Sequence, residues 1–430
     1  MYEIEDDKLE KIIIVGVDRN KRGEITVESS MDELAELVKA ADGIVEGRVV
    51  QNREHIDSAY HIGKGKAEEI AVACEELDID TVVFNDELSG AQIRNLENII
   101  ERKIIDRTSL ILDIFAKRAT SKEGKLQVEL AQLKYRLPRL IGFRNYLSRT
   151  GGGIGTKGPG EQKLELDRRH ILGRINDIQR QLKELDKVRM VKRKQRRSND
   201  IPIVALVGYT NAGKSTLLNS LIRLDEDYKE EKEVFVKDML FATLETNLRK
   251  ATLPNGRDFL ITDTVGFVSK LPTHLVEAFK GTLEEVQFAD LLLHVVDITN
   301  EDLEIQMVTT MKIIKDLDVI DKPIITVFNK VDEGNIEDIA YKVPEPKIFI
   351  SAKTGHNLEL LLKMIEDNLP QSYYNVDLLI PFSKGDLLSY IFDNTKVESQ
   401  EHTAEGTLVT VTLDQADYNR CKEYIVDKNE

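Results

Sequence analysis

Along the first hundred residues, short apolar runs alternate with amphipathic stretches. Ile12–Val17, Gly47–Gln51, Thr81–Asn85 and Lys103–Asp106 have the length and apolar content of strands. Between them, Met31–Ala41, Lys66–Leu77 and Gly90–Glu101 space their apolar residues at the helical period. Strands interleaved with helices of this length predict a parallel α/β unit over 1–107. Within it, His61-Ile-Gly-Lys-Gly-Lys66 sits in a turn before a helix, where backbone N–H groups and two lysines suit a phosphate. A plain Gly/Lys turn is the alternative.

The pattern changes over 108–200. Leu126, Leu130, Leu133, Leu137 and Leu140 recur at spacings of four and three, and Leu164, Ile171, Ile175, Ile178, Leu182 and Leu185 form a second seam. Two such seams joined by a loop predict an antiparallel helical hairpin. The loop, Gly151-Gly-Gly-Ile-Gly-Thr-Lys-Gly-Pro-Gly160, is too glycine-rich to pack a core and suits close approach to phosphate or to a flat surface; a flexible linker is the alternative. Farther on, Asn375–Pro381 and Leu408–Leu413 read as strands, the latter after the turn Ala404-Glu-Gly406. Asp386–Phe392 and Gln415–Val426 read as helices, predicting a small α+β domain over 371–430.

Composition adds bounds. With 430 residues the chain exceeds one ordinary domain, and 41% hydrophobic with 32% charged residues describes a folded chain. Two distant cysteines, Cys74 and Cys421, exclude a disulfide framework or zinc ribbon. No apolar run is long enough for a membrane span and the N-terminus is acidic, so the expected location is cytoplasmic. The net charge of −16 hides a segregation: residues 117–197 hold 23 Lys/Arg against 8 Asp/Glu, and the remainder 37 against 68. A basic segment in an acidic protein is the footprint of a localised polyanion contact, with a solvated helix face as the alternative. Arg144, Arg149, Lys157, Arg193, Lys194, Arg196 and Arg197 are the candidate contacts; the run Lys187–Arg197 also fits a nuclear-import signal.

The strongest signal begins at 201–208, a buried-strand pattern. It leads into Gly208, Tyr209, Thr210, Asn211, Ala212, Gly213, Lys214 and Ser215, with a helix from Thr216 to Ile222. This is GxxxxGK[ST] between a strand and a helix: glycines let the backbone curl round a phosphate, Lys214 reaches the β- and γ-phosphates, and the Ser215 hydroxyl suits Mg2+. The strand Phe259–Thr262 ends in Asp263, Thr264, Val265 and Gly266, where Asp263 suits a Mg2+-bound water and the Gly266 N–H suits the γ-phosphate. The strand Ile324–Phe328 ends in Asn329, Lys330, Val331 and Asp332; a carboxylate there accepts from guanine N1–H and N2–H2, which adenine does not offer. Ser351, Ala352 and Lys353 follow the strand Lys347–Ile350 and suit a backbone contact to guanine O6. Asp225–Phe241 reads as a switch loop closing in Phe241, Ala242, Thr243, Leu244 and Glu245, with Thr243 as a direct Mg2+ and γ-phosphate ligand. Phe267 stands where many GTPases carry a water-orienting Gln, which predicts slow intrinsic hydrolysis and a partner that completes the site.

These motifs, with Gly152–Glu161, Phe241-Ala-Thr-Leu244 and the Phe267 substitution, resemble the HflX family of translational GTPases, in the Obg–HflX branch. The resemblance covers most of the chain. It implies an α/β multidomain protein: an N-terminal α/β domain with a helical hairpin (1–107 and 108–200), a doubly wound P-loop GTPase domain (201–370) and, in some members, the C-terminal α+β unit. It further implies a protein that binds GTP, GDP and Mg2+, contacts the large ribosomal subunit and its rRNA and, in several members, splits stalled or hibernating ribosomes; the expected oligomeric state is a monomer. Some members also hydrolyse ATP through the N-terminal domain. Subunit assembly, or regulation of another RNA or protein, are the alternative roles. The chain departs from the family pattern at Glu245-Thr-Asn-Leu-Arg249 and at Lys157, where Asp-Pro-Thr-Thr-Arg and Arg are usual.

Overall fold

The computed structural model describes residues 9–19, 25–147, 159–197, 201–224, 240–241, 247–270, 286–317, 319, 321–334, 345–370, 374–413 and 415–426. Three sheets organise them. In the first, β1 (Glu10–Asp18), β2 (Gly43–Asn52), β3 (Thr81–Phe84) and β4 (Lys103–Asp106) run parallel in the order β2-β1-β3-β4. The helices α1 (Val27–Ala40), α2 (Lys64–Glu76), α3 (Gly90–Ile100) and α4 (Arg107–Arg118) cover both faces. Along β1 the side chains alternate, Ile12 and Ile14 packing with α1 and α4, Ile13 and Val15 with α2 and α3. Two covered faces explain why the strand is a continuous apolar run. Residues 108–118, grouped with the hairpin by sequence, belong here instead. Leu110, Ile111, Ile114 and Phe115 form a stripe broader than a coiled-coil seam and are buried on the sheet.

The hairpin is α5 (Lys122–Leu147) and α6 (Pro159–Arg197). Leu126, Leu130, Ile175 and Ile178 form its buried seam, flanked by Leu133, Leu137, Ile171, Leu182 and Leu185. Arg174 grips Glu129 with two bonds of 2.7 Å across the pair. Arg144 lies on α5 and Arg193, Lys194, Arg196 and Arg197 on the last turns of α6; Arg149, Lys157 and the loop 151–158 lie outside the described residues. Because α6 has 39 residues against 26 in α5, its C-terminal turns outrun its partner.

The second sheet has the order β10-β9-β8-β5-β7-β6. Its members are β5 (Ile203–Gly208), β6 (Asn247–Thr252), β7 (Asp258–Asp263), β8 (Leu291–Asp297), β9 (Ile324–Asn329) and β10 (Lys347–Phe349), parallel except for β6. Strand order reverses beside β5, so the loop after it opens into the crevice that such sheets use for ligands. The departure from family pattern at Asn247–Arg249 thus begins an edge strand hydrogen-bonded to β7.

The third sheet, all antiparallel, has the order β12-β13-β11-β14. It contains β11 (Tyr374–Ile380), β12 (Lys396–His402), β13 (Thr407–Leu413) and β14 (Ile425–Val426). The closing helix expected over Gln415–Val426 stops at Cys421; Ile425 turns back to pair with Leu378 and cover part of the edge of β11. Among the described residues, no helix is long and apolar enough to cross a membrane.

Since Ile178 is fully buried while the Glu129–Arg174 pair is half exposed, Ile178→Ala should cost about 2–4 kcal/mol and Glu129→Gln clearly less. Guanidinium denaturation followed by a probe on α6 checks the order; equal losses would mean the apolar seam is not the main support of the hairpin.

Candidate functional site

The loop after β5 is shaped by backbone constraints. Gly213 has φ +88°, and a Cβ there would meet the Asn329 amide nitrogen at 2.2 Å. A side chain is excluded both by conformation and by space. Lys214 opens α7 (Lys214–Arg223) and is buried, its Nζ donating to the carbonyls of Tyr209 (2.7 Å) and Gly208 (3.2 Å). Burial lowers its pKa to about 8, although the nearby Asp263 carboxylate opposes the shift. The same Lys214 charge, after burial, helps push His294 on β8 down to about 4.

Asp263 ends β7 opposite the start of α7, and the Ser215 hydroxyl donates to its Oδ2 at 2.5 Å. A hydroxyl and a carboxylate converging beside a loop of backbone N–H groups form an all-oxygen donor set, the chemistry that Mg2+ takes. Thr264 is fully buried and ties this strand end to β5 by donating to the Leu206 carbonyl (2.6 Å). Gly266 lies against the loop: a Cβ there would come within 2.8 Å of the Thr210 backbone and 3.0 Å of Lys214 Nζ.

Asn329 joins three motifs. Its amide donates to the Ala212 carbonyl and its oxygen accepts from the Ala352 N–H, both at 2.9 Å. Lys330 pairs with Asp297 at 2.6 Å, and Val331 N–H donates to the Ile350 carbonyl. Ser220 of α7 donates to the Ala352 carbonyl at 2.6 Å, so Ser351-Ala-Lys353 is held from both sides. A hydrogen bond from Ser351, with help from Lys353 and Lys330, keeps the Asp332 carboxyl below its usual pKa; an ionised acceptor is what a guanine edge requires. Asn211 is exposed, with φ +60°.

Three findings went unseen in the sequence. Phe267 is 1% exposed and packs with Val207, Tyr209 and Leu292, so its ring anchors the core. Phe241 packs edge-on against Phe115 of α4 at 4.6 Å and shares the N-terminal core with Val265 and Val268. Ala242, Thr243, Leu244 and Glu245 lie outside the described residues. Finally, Glu33 and Arg107 of the N-terminal unit reach Ser269, just past Phe267, at separations of 236 and 162 residues that no local pattern announces. In the turn at His61, Gly63 N–H is taken by Gln51 (2.8 Å), while Lys64 and Lys66 pair with Glu68 and Glu69 of their own helix. These groups are therefore engaged within the chain at the turn for which the sequence left an anion site and a plain Gly/Lys turn both open.

Residues 28–116 match the family described as GTP-binding GTPase N-terminal, 118–196 the GTP-binding GTPase middle region, and 203–330 the 50S ribosome-binding GTPase family. GTPase HflX of Caldanaerobacter subterraneus subsp. tengcongensis is 47% identical over 426 residues, covering 99% of this chain and 96% of that protein. GTPase HflX of Lacrimispora saccharolytica is 45% identical over 401 residues (93% and 92%), and that of Escherichia coli K12 37% over 409 residues (93% and 94%). Likeness of this depth runs through the first sheet and the hairpin as well as the phosphate loop, and the chain therefore belongs to the HflX family of GTPases.

Proposed function

We propose that this GTPase binds the large ribosomal subunit and uses its nucleotide cycle to separate the subunits of stalled or hibernating ribosomes. The observation that carries the reading is the segregated charge: 23 basic against 8 acidic residues over 117–197, most of them on the long hairpin, in an otherwise acidic protein. A stiff cationic hairpin suits a cleft lined by rRNA phosphates, where electrostatic contacts dominate affinity. The likeness of 203–330 to 50S ribosome-binding GTPases supports the same target. Arg144, Arg149, Lys157, Arg193, Lys194, Arg196 and Arg197 would supply the contacts.

At the nucleotide site, Gly208–Thr216 would wrap the phosphates with backbone N–H groups, and Lys214 would leave its carbonyl partners for the β- and γ-phosphates. Ser215 and Thr243 would hold Mg2+ directly and Asp263 through water, the ion neutralising charge on the phosphate oxygens. Gly266 N–H would report the γ-phosphate; Asp332 and the Ser351–Lys353 turn would select guanine. Phe267, committed to the core, offers no polar atom to orient water, which supports slow turnover until the ribosome completes the site.

The first test is GTP turnover with and without isolated large subunits, together with co-sedimentation in a GTP analogue and in GDP. Strong stimulation and analogue-dependent pelleting are expected, followed by dissociation of intact ribosomes. Pelleting without dissociation would point to subunit assembly instead; absence of both stimulation and pelleting would withdraw the ribosomal reading.

Asp332→Asn should exchange preference for GTP towards xanthosine triphosphate, read by competition binding; unchanged GTP affinity would remove Asp332 from the base site. Lys214 adds a pH signature. Its pKa of about 8 should rise on contact with phosphate, so binding takes up a proton above pH 8 and affinity falls as pH rises, by up to about tenfold per unit. Calorimetry at pH 8 in two buffers of different ionisation heat should detect about half a proton taken up per GDP; zero uptake would mean that Lys214 is already fully charged.

A further inference from the structure

In the first sheet the strand order reverses between β1 and β3, and their carboxyl ends form the crevice where a doubly wound sheet holds a ligand. Here the crevice holds a segment of the same chain. Arg107, 2% exposed, donates from Nη1 to Asn85 Oδ1 (2.8 Å) and from Nη2 to Glu33 Oε2 (2.6 Å) and Ser269 Oγ (2.9 Å). The Ser269 N–H donates to Glu33 Oε1 at 3.1 Å, and its hydroxyl to the other oxygen. The next residue, Lys270, pairs with Asp86 at 2.7 Å; burial alone would raise the Asp86 pKa, but His61 and Lys270 hold that carboxyl below its usual range.

The residue before Arg107 faces the hairpin. Asp106 is fully buried and caps α4 by accepting from Ser109 N–H (2.8 Å). It also accepts from the Tyr135 hydroxyl (2.5 Å) and from Arg139 Nη2 (3.2 Å), both on α5. The Arg139 guanidinium lies 3.4 Å from the centre of the Tyr135 ring. One peptide bond thus joins the carboxylate that grips the hairpin to the guanidinium that grips the segment after β7. That segment has little slack towards the nucleotide loop: Thr210 N–H donates to Phe267 O (2.8 Å), Phe267 N–H to Gly208 O (3.1 Å), and Gly266 abuts Thr210.

We propose that Asp106 and Arg107 couple the helical hairpin to the nucleotide site, so that displacement of α5 repositions Phe267–Lys270 and, through it, Gly266. Asp106, Arg107 and Glu33 are then positioning residues for GTP hydrolysis. A buried guanidinium that loses one acceptor is left with uncompensated charge, so the junction changes state as a unit. The proposal rests on the reading of Gly266 as a phosphate contact, and does not depend on which particle the hairpin touches.

The test is hydrogen exchange on the full chain carrying Tyr135→Phe or Arg139→Gln, neither of which is bonded to Ser269. Amides of residues 264–270 should exchange about fivefold faster or more, the lower range of energetic coupling between sites, and release of a fluorescent non-hydrolysable GTP analogue should change by a similar factor. By reciprocity, Glu33→Gln should speed exchange around Tyr135. Thermal melting identifies a variant that has lost its fold; Tyr135→Phe, which removes one oxygen, keeps the test open. Exchange raised only within 122–147, with 264–270 unchanged, would overturn the coupling. Exchange raised in 264–270 with release of the GTP analogue unchanged would overturn the step to the nucleotide site, whatever a ribosome-binding assay reports.

Discussion

A guanidinium buried away from water must find acceptors, and Arg107 finds them in three places at once: Asn85 on its own sheet, Glu33 on α1, and Ser269 in the nucleotide-binding unit. Removing any one would leave part of a buried charge uncompensated, which is costly in a low-dielectric interior. The first two sheets are therefore tied by a specific polar lock as well as by apolar contact. Around that lock the cores merge: Phe241, Val265 and Val268, all from beside the nucleotide loops, pack with Phe115, Leu110 and Ile111 of α4. The N-terminal unit thus forms one wall of the region expected to change with nucleotide state.

Asn329 plays the corresponding role between the phosphate loop and the turn after β10. One amide uses its donor on the loop and its acceptor on the Ser351–Lys353 turn, so the two regions are registered by a single planar group. The close fit of Gly213 against that amide explains the glycine there. Phe267 belongs to the same economy of space. Its backbone is bonded on both sides to the phosphate loop while its ring fills the core beside Tyr209, so the chain spends this position on rigidity. The chemistry that a polar side chain would have provided has to come from elsewhere.

Much was legible without coordinates because its causes are local. A period of two or of 3.6 follows from backbone geometry, so the strands and helices of the first sheet and the hairpin seam could be read directly. The phosphate loop and the Asn329–Asp332 motif were legible because each packs its chemistry into a few consecutive residues. Elements whose stability comes from neighbours were missed or misplaced. β12, polar along its length, is a strand because β13 offers it a ladder, and the last helix stops early because β11 has an edge to cover. Residues 108–118 were helical as their apolar content implied, but their allegiance to the first sheet depends on which surface receives a broad apolar stripe.

The sequence by itself determined that the chain is a guanine-nucleotide enzyme with a basic hairpin, since the motifs are contiguous and charge can be counted. Only the tertiary structure decided that Glu33 and Arg107 meet Ser269 beside the Phe267 turn, and that Asp106 meets Tyr135 and Arg139 of α5. Their partners lie far along the chain, and hydrogen bonds between distant residues leave no period, spacing or composition behind. What creates them is the burial of polar groups as two sheets close on each other, and that requirement exists only once the chain has folded.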